Sequence, residues 1–442
     1  MNLLSPTGYG CTGSSAVTNI LQEFESILCL DNSEFQFTSY TDGIADLENI
    51  LIEGHPMKVD LAVKRFLQFS HTLSTYEHYK KCFNNKFEEM TIQYINEIIS
   101  INWTGSWPHQ FIGSDNYSKK RKIKQEYFNE VYNLYLRENN KKIFYEPDGW
   151  QPTFYHQEKV YYDYLYNEEK INDFIKKTKI FTDNLLKETV YNKNIYKYIL
   201  LDQAIPPVNT SHHMRYFSSP KVIIVDRDPR DLFVLNKVNW GVGYIPSYDV
   251  QLFIKYYSMT RQLKKKESLN TNNNIFFIPF ESLIYKYDDS IKEIIEFMGF
   301  TDTEHTNKLK YFNPDLSIKN TQVFVDYPEL HNDIKLIEKH LEEYCYKYPY
   351  TKEKKEEKHF FIEDINQKFN KLINDQIFEK KITKYLFIFI FKSTMFYRNT
   401  HTPNLNKNFL FLIKIIIKLI ILPFEMLFFL FTVPFIIKKK YV

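Results

Sequence analysis

The sequence predicts an α/β protein with a P-loop-like parallel β-sheet flanked by helices. A glycine-rich stretch near the N-terminus runs directly into a helix-like segment, as at a phosphate-binding loop. Two continuous apolar runs, 198–201 and 221–225, are typical of parallel strands buried on both faces. Polar residues follow both runs, where open α/β sheets bind their ligands. To this core we add a mostly helical insertion over 101–190 and a C-terminal membrane-associated hydrophobic segment.

The glycine-rich stretch is Gly8-Tyr9-Gly10-Cys11-Thr12-Gly13-Ser14-Ser15. It has the spacing of a P-loop in which Ser14 replaces the usual lysine. Three of the chain's 11 glycines lie in it, which suits a backbone that approaches an anion closely. Backbone N–H groups and the following helix N-terminus would surround the phosphate without the lysine charge. A glycine-rich turn that binds nothing is the alternative.

A second polar cluster follows the apolar run 221–225 and contains Arg227, Asp228, Arg230 and Asp231. The chain uses lysine far more than arginine, so an arginine here favours forked recognition of phosphate or carboxylate. We predict that Arg227 binds a ligand. Arg230 and Asp231 are predicted to pair with neighbours and to fix the turn.

These segments resemble the sulfotransferases that use 3'-phosphoadenosine 5'-phosphosulfate (PAPS). The resemblance rests on the loop at 8–15, the turn at 227–231, a strand and acidic corner at 274–283, and the helix at 291–299. Two later segments, 312–314 and 317–320, are similar to the family's loop that closes over the nucleotide. The resemblance covers parts of residues 1–345 and leaves the middle of the chain unmatched.

The resemblance implies roles for residues that match the family pattern. The loop, namely Gly8, Gly10, Cys11, Thr12, Gly13, Ser14 and Ser15, would hold the 5'-phosphosulfate through backbone and hydroxyl hydrogen bonds. Arg227 would hold the 3'-phosphate, and Lys319 lies in the closing loop. PAPS is the implied co-substrate, with no metal ion required. Two positions depart from the family: Cys11 replaces a lysine or arginine, and Leu235 replaces a serine whose role we assign to Asn236 or Lys237.

Sulfuryl transfer also requires a general base near the acceptor. Asp202 ends the apolar run 198–201, at the strand end where the family carries its acid or base residue. It is our first candidate. His212 and His213 are the second, because histidine titrates near neutral pH. The alternatives are a turn or cap role for Asp202 and a surface position for the histidines.

Composition excludes several other classes of protein. A net charge of +3 implies no broad nucleic-acid-binding surface. The four cysteines are far apart in the sequence, so neither a disulfide framework nor a zinc site is expected. No apolar segment precedes the loop, which favours a reducing cytoplasmic location for the catalytic part.

The domain predicted over 1–350 begins with a strand that we expect to be short, 1–4, because Ser5 and Pro6 follow. A helix is predicted over 59–69, and helical spacing recurs at 248–264 and 333–346. The insertion contains Trp103, Trp107 and Trp150, which would either stack on sugar rings of an acceptor or form a core. A charged linker with amphipathic helices is predicted over 351–408.

The C-terminal segment 409–440 is almost wholly apolar and ends in a run of lysines. Lys414 and Lys418 suit an interfacial helix, whereas 419–437 has nearly the length of a membrane span. Two prolines and a glutamate favour a kinked in-plane or re-entrant segment over a simple span. We therefore expect a protein at the cytoplasmic face of a membrane, acting on a carbohydrate or lipid-linked glycan. An ATP-dependent kinase-like enzyme and a non-catalytic nucleotide-binding protein are the alternatives.

Overall fold

The computed structural model describes residues 2–105, 158–189, 196–268 and 273–352. All of them belong to one of the two units into which the chain divides, Met1–Asp364. Trp107, Trp150, most of the predicted linker and the predicted membrane segment 409–440 lie outside the described residues. Within the described ranges, no helix is both long enough and apolar enough to cross a bilayer.

A five-stranded parallel sheet forms the centre of the described structure. The strands in chain order are β1 (Asn2–Gly8), β2 (Ile27–Leu28), β3 (Ile101–Gly105), β4 (Glu158–Tyr162), β5 (Tyr198–Leu200), β6 (Pro220–Asp226) and β7 (Ile275–Pro279). The sheet order is β2-β5-β1-β6-β7, and β3 and β4 form a separate antiparallel pair. Because β1 lies between β5 and β6, the residues that follow these three strands meet at one edge of the sheet.

Helices surround this sheet. They are α1 (Ser14–Leu21), α2 (Ile44–Glu53), α3 (Pro56–Ser74), α4 (Glu77–Cys82), α5 (Phe87–Ile98), α6 (Glu168–Thr189), α7 (Thr210–Met214), α8 (Pro229–Leu235), α9 (Val250–Ser268), α10 (Ser282–Tyr285), α11 (Tyr287–Met298), α12 (Pro314–Ser317) and α13 (His331–Leu341). The α/β class with a parallel sheet flanked by helices is confirmed. Helices α3, α9 and α13 cover most of the three segments predicted to be helical.

Alternate residues of the strands pack into different cores, because successive side chains of a strand point to opposite faces. On β6, Val222 and Ile224 join a cluster built largely from α2, α3, α5 and α6. Ile223 and Val225 join a second cluster with α1 and α11. Both faces of the sheet are therefore covered, which is why its strands are apolar runs.

The prediction of a short first strand is wrong, because β1 continues through Pro6 to Gly8. Its pairing with β5 ends at Leu4, so the N–H that Pro6 lacks falls beyond that ladder. The buried hydroxyls of Ser5 and Thr7 have partners: Ile205 N–H donates to Ser5 Oγ, and Thr7 Oγ1 donates to Gln203 Oε1. The segment after β5 therefore supplies the hydrogen-bond partners of these two buried hydroxyls.

The described parts of the predicted insertion are the hairpin β3–β4 and the helix α6. In the hairpin, Trp103 pairs with Val160, and its ring is 42% exposed. Helix α6 packs its buried face on α5, where Tyr94 stacks on Phe181.

Candidate functional site

The glycine-rich loop connects the central strand β1 to α1 through left-handed backbone. Gly10 has φ 88°, Cys11 φ 55° and Gly13 φ 101°. Residues with side chains rarely adopt these angles, so Gly10 and Gly13 permit the turn at low cost. Space is also short, because a Cβ atom on Gly13 would lie 2.5 Å from Phe280 Cδ2. The loop is thus shaped both by backbone conformation and by its neighbours.

Thr12 anchors the loop to the neighbouring strand. Its Oγ1 donates a 2.8 Å hydrogen bond to the Val225 carbonyl at the end of β6. A Cβ atom on Gly8 would lie 2.2 Å from that same Oγ1 atom, so Gly8 must lack a side chain. The prediction that the Thr12 hydroxyl contacts a ligand is therefore corrected: the hydroxyl donates within the protein, and only the backbone N–H remains available.

The backbone N–H groups from Gly10 to Ser15 donate no hydrogen bond within the part of the chain that the structure describes. The first N–H that does so is that of Ala16, which donates to the Gly13 carbonyl at 3.0 Å. Successive N–H groups in such a turn, continued by a helix N-terminus, form a concave site for an anion. Ser15 is exposed there, and Ser14 Oγ accepts a hydrogen bond from Gln203 Nε2 at 3.1 Å.

Arg227 lies beside this loop, as the sequence predicted for a second ligand-binding element. Its guanidinium lies between the rings of Trp240 and Phe280, 5.3 and 4.5 Å from their centroids. Its Nη1 atom donates to the Cys11 carbonyl at 3.5 Å, and its Nη2 atom donates to the Asn320 carbonyl. The residue is 5% exposed, and Nε has no hydrogen-bond partner among the described residues. A guanidinium has five N–H donors, so the N–H of Nε and one N–H on each Nη atom are not donated to described residues.

Lys319 immediately precedes Asn320, whose carbonyl accepts from Arg227. It occupies the short 3₁₀ turn Ile318–Asn320 and is exposed. The late loop of the sequence thus packs on Arg227, and two residues from distant parts of the chain are neighbours.

The turn residues Arg230 and Asp231 have the structural roles predicted for them. Arg230 pairs with Asp228 at 2.6 Å and with Glu338 at 2.9 Å. Asp231 is buried and accepts hydrogen bonds from the backbone of Gln322 and Val323. The bonds of Asp231 hold the late loop against α8.

The Asn236 side chain makes its hydrogen bonds within its own loop. It is fully buried, its Nδ2 donates to Ile245 O and Ser247 Oγ, and its Oδ1 accepts from Val242 N–H. Lys237 Nζ donates to the Ser247 carbonyl at 3.2 Å. Asn236 therefore shapes the segment after α8, and its amide hydrogens are already donated there.

Asp202 is buried after β5, beside α1. Burial is the main cause that raises the pKa of its carboxyl from 3.8 to about 7, and the charge of Glu34 adds to the rise. Asp202 Oδ1 has no hydrogen-bond partner within the described ranges, and the nearby Thr18 hydroxyl offsets only part of the shift. A carboxyl with a pKa near neutrality is suited to accept a proton at physiological pH.

The two histidine rings lie beside each other, with centroids 5.6 Å apart, and have different hydrogen-bond partners. His212 Nε2 is 2.8 Å from the Tyr216 hydroxyl and 3.2 Å from Glu48. His213 Nδ1 is 3.3 Å from Thr38 Oγ1, and burial lowers the pKa of His213 from 6.5 to about 4. No described hydrogen bond connects either histidine to the loop, whereas Gln203, next to Asp202, reaches Ser14 directly.

Sequence reasoning missed three residues of this edge. Gln203 bridges Thr7 and Ser14. Arg261 of α9 is fully buried, pairs with Asp226 at 2.6 Å and stacks 4.2 Å from the Tyr9 ring centroid. Tyr244 covers Gly10, and its hydroxyl lies 3.8 Å from Cys11 Sγ. Arg261 could have been singled out because arginine is rare in this chain. Nothing in the sequence singles out Gln203 or Tyr244.

The described residues contain no group of histidine, cysteine or acidic side chains able to hold a metal ion, and the four cysteines are free. The fold and the loop together define an α/β protein with a candidate anion-binding site at the carboxyl edge of its sheet. No known family model matches the chain, and no curated protein matches it.

Proposed function

We propose that the chain is a PAPS-dependent sulfotransferase that acts on a hydroxyl of a carbohydrate or glycolipid at a membrane. The observation that carries the proposal is the row of N–H groups from Gly10 to Ser15, which donate no hydrogen bond among the described residues, with Arg227 beside it. The N–H groups suit a phosphosulfate, and the Arg227 N–H groups that have no partner among those residues suit a second phosphate. A donor with two separate anionic groups, as in PAPS, fits this pair of elements.

In the proposed reaction the acceptor hydroxyl oxygen bonds to sulfur while the bond from sulfur to the bridging phosphate oxygen breaks. The electron pair of that bond stays on the leaving adenosine 3',5'-bisphosphate. The acceptor proton passes to Asp202, whose raised pKa suits that role. Charge on the bridging oxygen would be stabilised by the loop N–H groups, since Cys11 supplies no cation there.

The acceptor assignment follows from the apolar sequence at 409–440, which favours substrates presented at a membrane. Trp103 is a candidate for stacking on a sugar ring because it is exposed. The proposed donor requires no metal ion.

The test measures the thermal stability of the full chain with adenosine 3',5'-bisphosphate, with ATP and magnesium, and with neither ligand. A ligand that binds the native state raises the melting temperature. We expect a rise with the bisphosphate that is abolished in Arg227→Lys, because lysine lacks the planar fork. Arg215→Lys is the matched control, since the partly exposed Arg215 pairs with the buried Glu48.

Three results would contradict parts of the proposal. A larger shift with ATP and magnesium would favour a kinase-like enzyme. An equal shift in both arginine variants would remove Arg227 from the site. Bisphosphate binding without transfer of radioactive sulfate from PAPS to any membrane glycan would favour a non-catalytic nucleotide-binding protein.

A further inference from the structure

Helix α9 is apolar on two of its faces. Phe253, Tyr257 and Arg261 lie on the inner face and are buried. Leu252, Met259 and Leu263 lie on another face and are 44%, 57% and 39% exposed. An amphipathic helix of a soluble domain presents polar residues on its outer side, so the second apolar face needs a separate explanation.

These three exposed residues and the half-buried Tyr256 line one side of the helix. Leu252, Tyr256, Met259 and Leu263 follow helical spacing at i, i+4, i+7 and i+11, and Tyr256 also packs against the core. Tyr248, 49% exposed, and Tyr244, 59% exposed, precede the helix in the sequence. We call the set 244, 248, 252, 256, 259 and 263 the α9 stripe.

The α9 stripe begins at the phosphate-binding loop. The Tyr244 ring lies on Gly10, so a Cβ atom there would be 2.7 Å from Tyr244 Cε2. The stripe is therefore continuous with the candidate site, and whatever covers the stripe lies next to the mouth of the loop.

We propose that the α9 stripe is a membrane-docking surface that places the mouth of the loop at the bilayer. The stripe has the composition of an interfacial contact, with aliphatic side chains on the helix and tyrosines at the end near the loop. Lys255 beside it is exposed and has no ion-pair partner among the described residues, which suits anionic headgroups. The sequence at 409–440 provides an independent reason for the chain to meet a bilayer.

This surface is distinct from the C-terminal segment, and it does not depend on the transfer reaction. Under the proposed function it has one consequence for the substrate. An acceptor whose polar group projects only a short distance from the bilayer would reach the loop, whereas a soluble acceptor would gain nothing from docking.

The first experiment uses the full chain with phosphatidylcholine and phosphatidylserine vesicles whose acyl chains carry bromine, which quenches nearby tryptophan. The chain's four native tryptophans give the same background in every variant. We expect the added emission of Met259→Trp to be quenched. Ile180→Trp on α6 is the control, since Ile180 is 46% exposed and lies outside the stripe, and it should remain unquenched.

A second experiment repeats the quenching measurement on Met259→Trp in a full chain that also carries Leu252→Asp and Leu263→Asp. We expect quenching to fall at least about twofold, because interfacial insertion scales with buried apolar area, even where 409–440 keeps the chain on the vesicle. The control, Met259→Trp with Ile92→Asp and Ile180→Asp, should be quenched as Met259→Trp alone is. Equal quenching at positions 259 and 180, or no quenching at either, overturns the proposal, as does undiminished quenching in the variant with Leu252→Asp and Leu263→Asp. A stripe covered by a second copy of the chain or another protein would give the unquenched result.

Discussion

Replacing Asp202 by asparagine tests whether its buried carboxyl is held neutral by the fold. Burial raises its pKa from 3.8 to about 7. At about 1.4 kcal/mol for each tenfold change in proton affinity, this corresponds to an upper limit of about 4 kcal/mol. The residue is only 3% exposed, so little solvent screening reduces that limit.

The sign follows from proton linkage. A folded-state pKa above the unfolded value means that the native protein holds a proton that the unfolded chain has lost. The contribution of Asp202 to stability is therefore complete below about pH 4 and is lost as the pH rises through about 7. Asparagine does not titrate, so the stability of Asp202→Asn relative to the wild type should increase across that interval.

The assay is denaturant unfolding of the full-length wild type and Asp202→Asn between pH 4.5 and 8.5, at steps of about half a pH unit, followed by tryptophan fluorescence. The difference in unfolding free energy between the two proteins should grow by about 1.4 kcal/mol for each pH unit and level off above about pH 7. Asp289→Asn serves as a control at an exposed position in the first turn of α11. A constant difference between wild type and Asp202→Asn over the whole range would refute the reasoning.

Three further predictions concern the same edge of the sheet. Gly13→Ala should lower the unfolding free energy by about 1–3 kcal/mol in urea unfolding, because its Cβ would meet Phe280 and φ is positive; an unchanged midpoint would contradict this. Thr12→Val should cost about 1–2 kcal/mol in the same assay by removing the donor to the Val225 carbonyl, and equal stability of the two proteins would show that this bond does not anchor the loop. Burial, with the nearby negative charge of Asp228 adding to it, raises the pKa of Glu281 from 4.5 to about 8, so the stability of the wild type should fall relative to Glu281→Gln as the pH rises between those values. Parallel pH curves for these last two proteins would show that Glu281 does not carry this proton.

The main sheet was predictable because the residue pattern that specifies its strands lies within short stretches of the sequence. Residues 222–225 are all apolar since both faces of β6 are covered there, and this pattern is visible without the fold. The loop after β1 was also predictable, because its left-handed backbone requires glycine at Gly10 and Gly13. The location of the candidate site was predictable as well, because open parallel sheets bind ligands at the carboxyl ends of their strands.

The extent of β1 was not predictable. Ser5 and Pro6 are poor strand residues by themselves, yet residues 5–8 pair with β6, and the segment after β5 supplies partners for the buried hydroxyls of Ser5 and Thr7. That segment is almost two hundred residues away in sequence. Intrinsic preference is overridden here by tertiary hydrogen bonding.

The sequence by itself determined the α/β class, the phosphate-loop candidate and the position of Arg227 after a buried strand. Only the tertiary structure decided how these side chains are used. In the fold the Thr12 hydroxyl donates to Val225, the Asn236 amide donates within its own loop, and Gln203 and Asn320 lie at the candidate site. The physical reason is that strand and turn patterns depend on neighbours in sequence, whereas a hydrogen-bond partner depends on which distant segments the fold brings together.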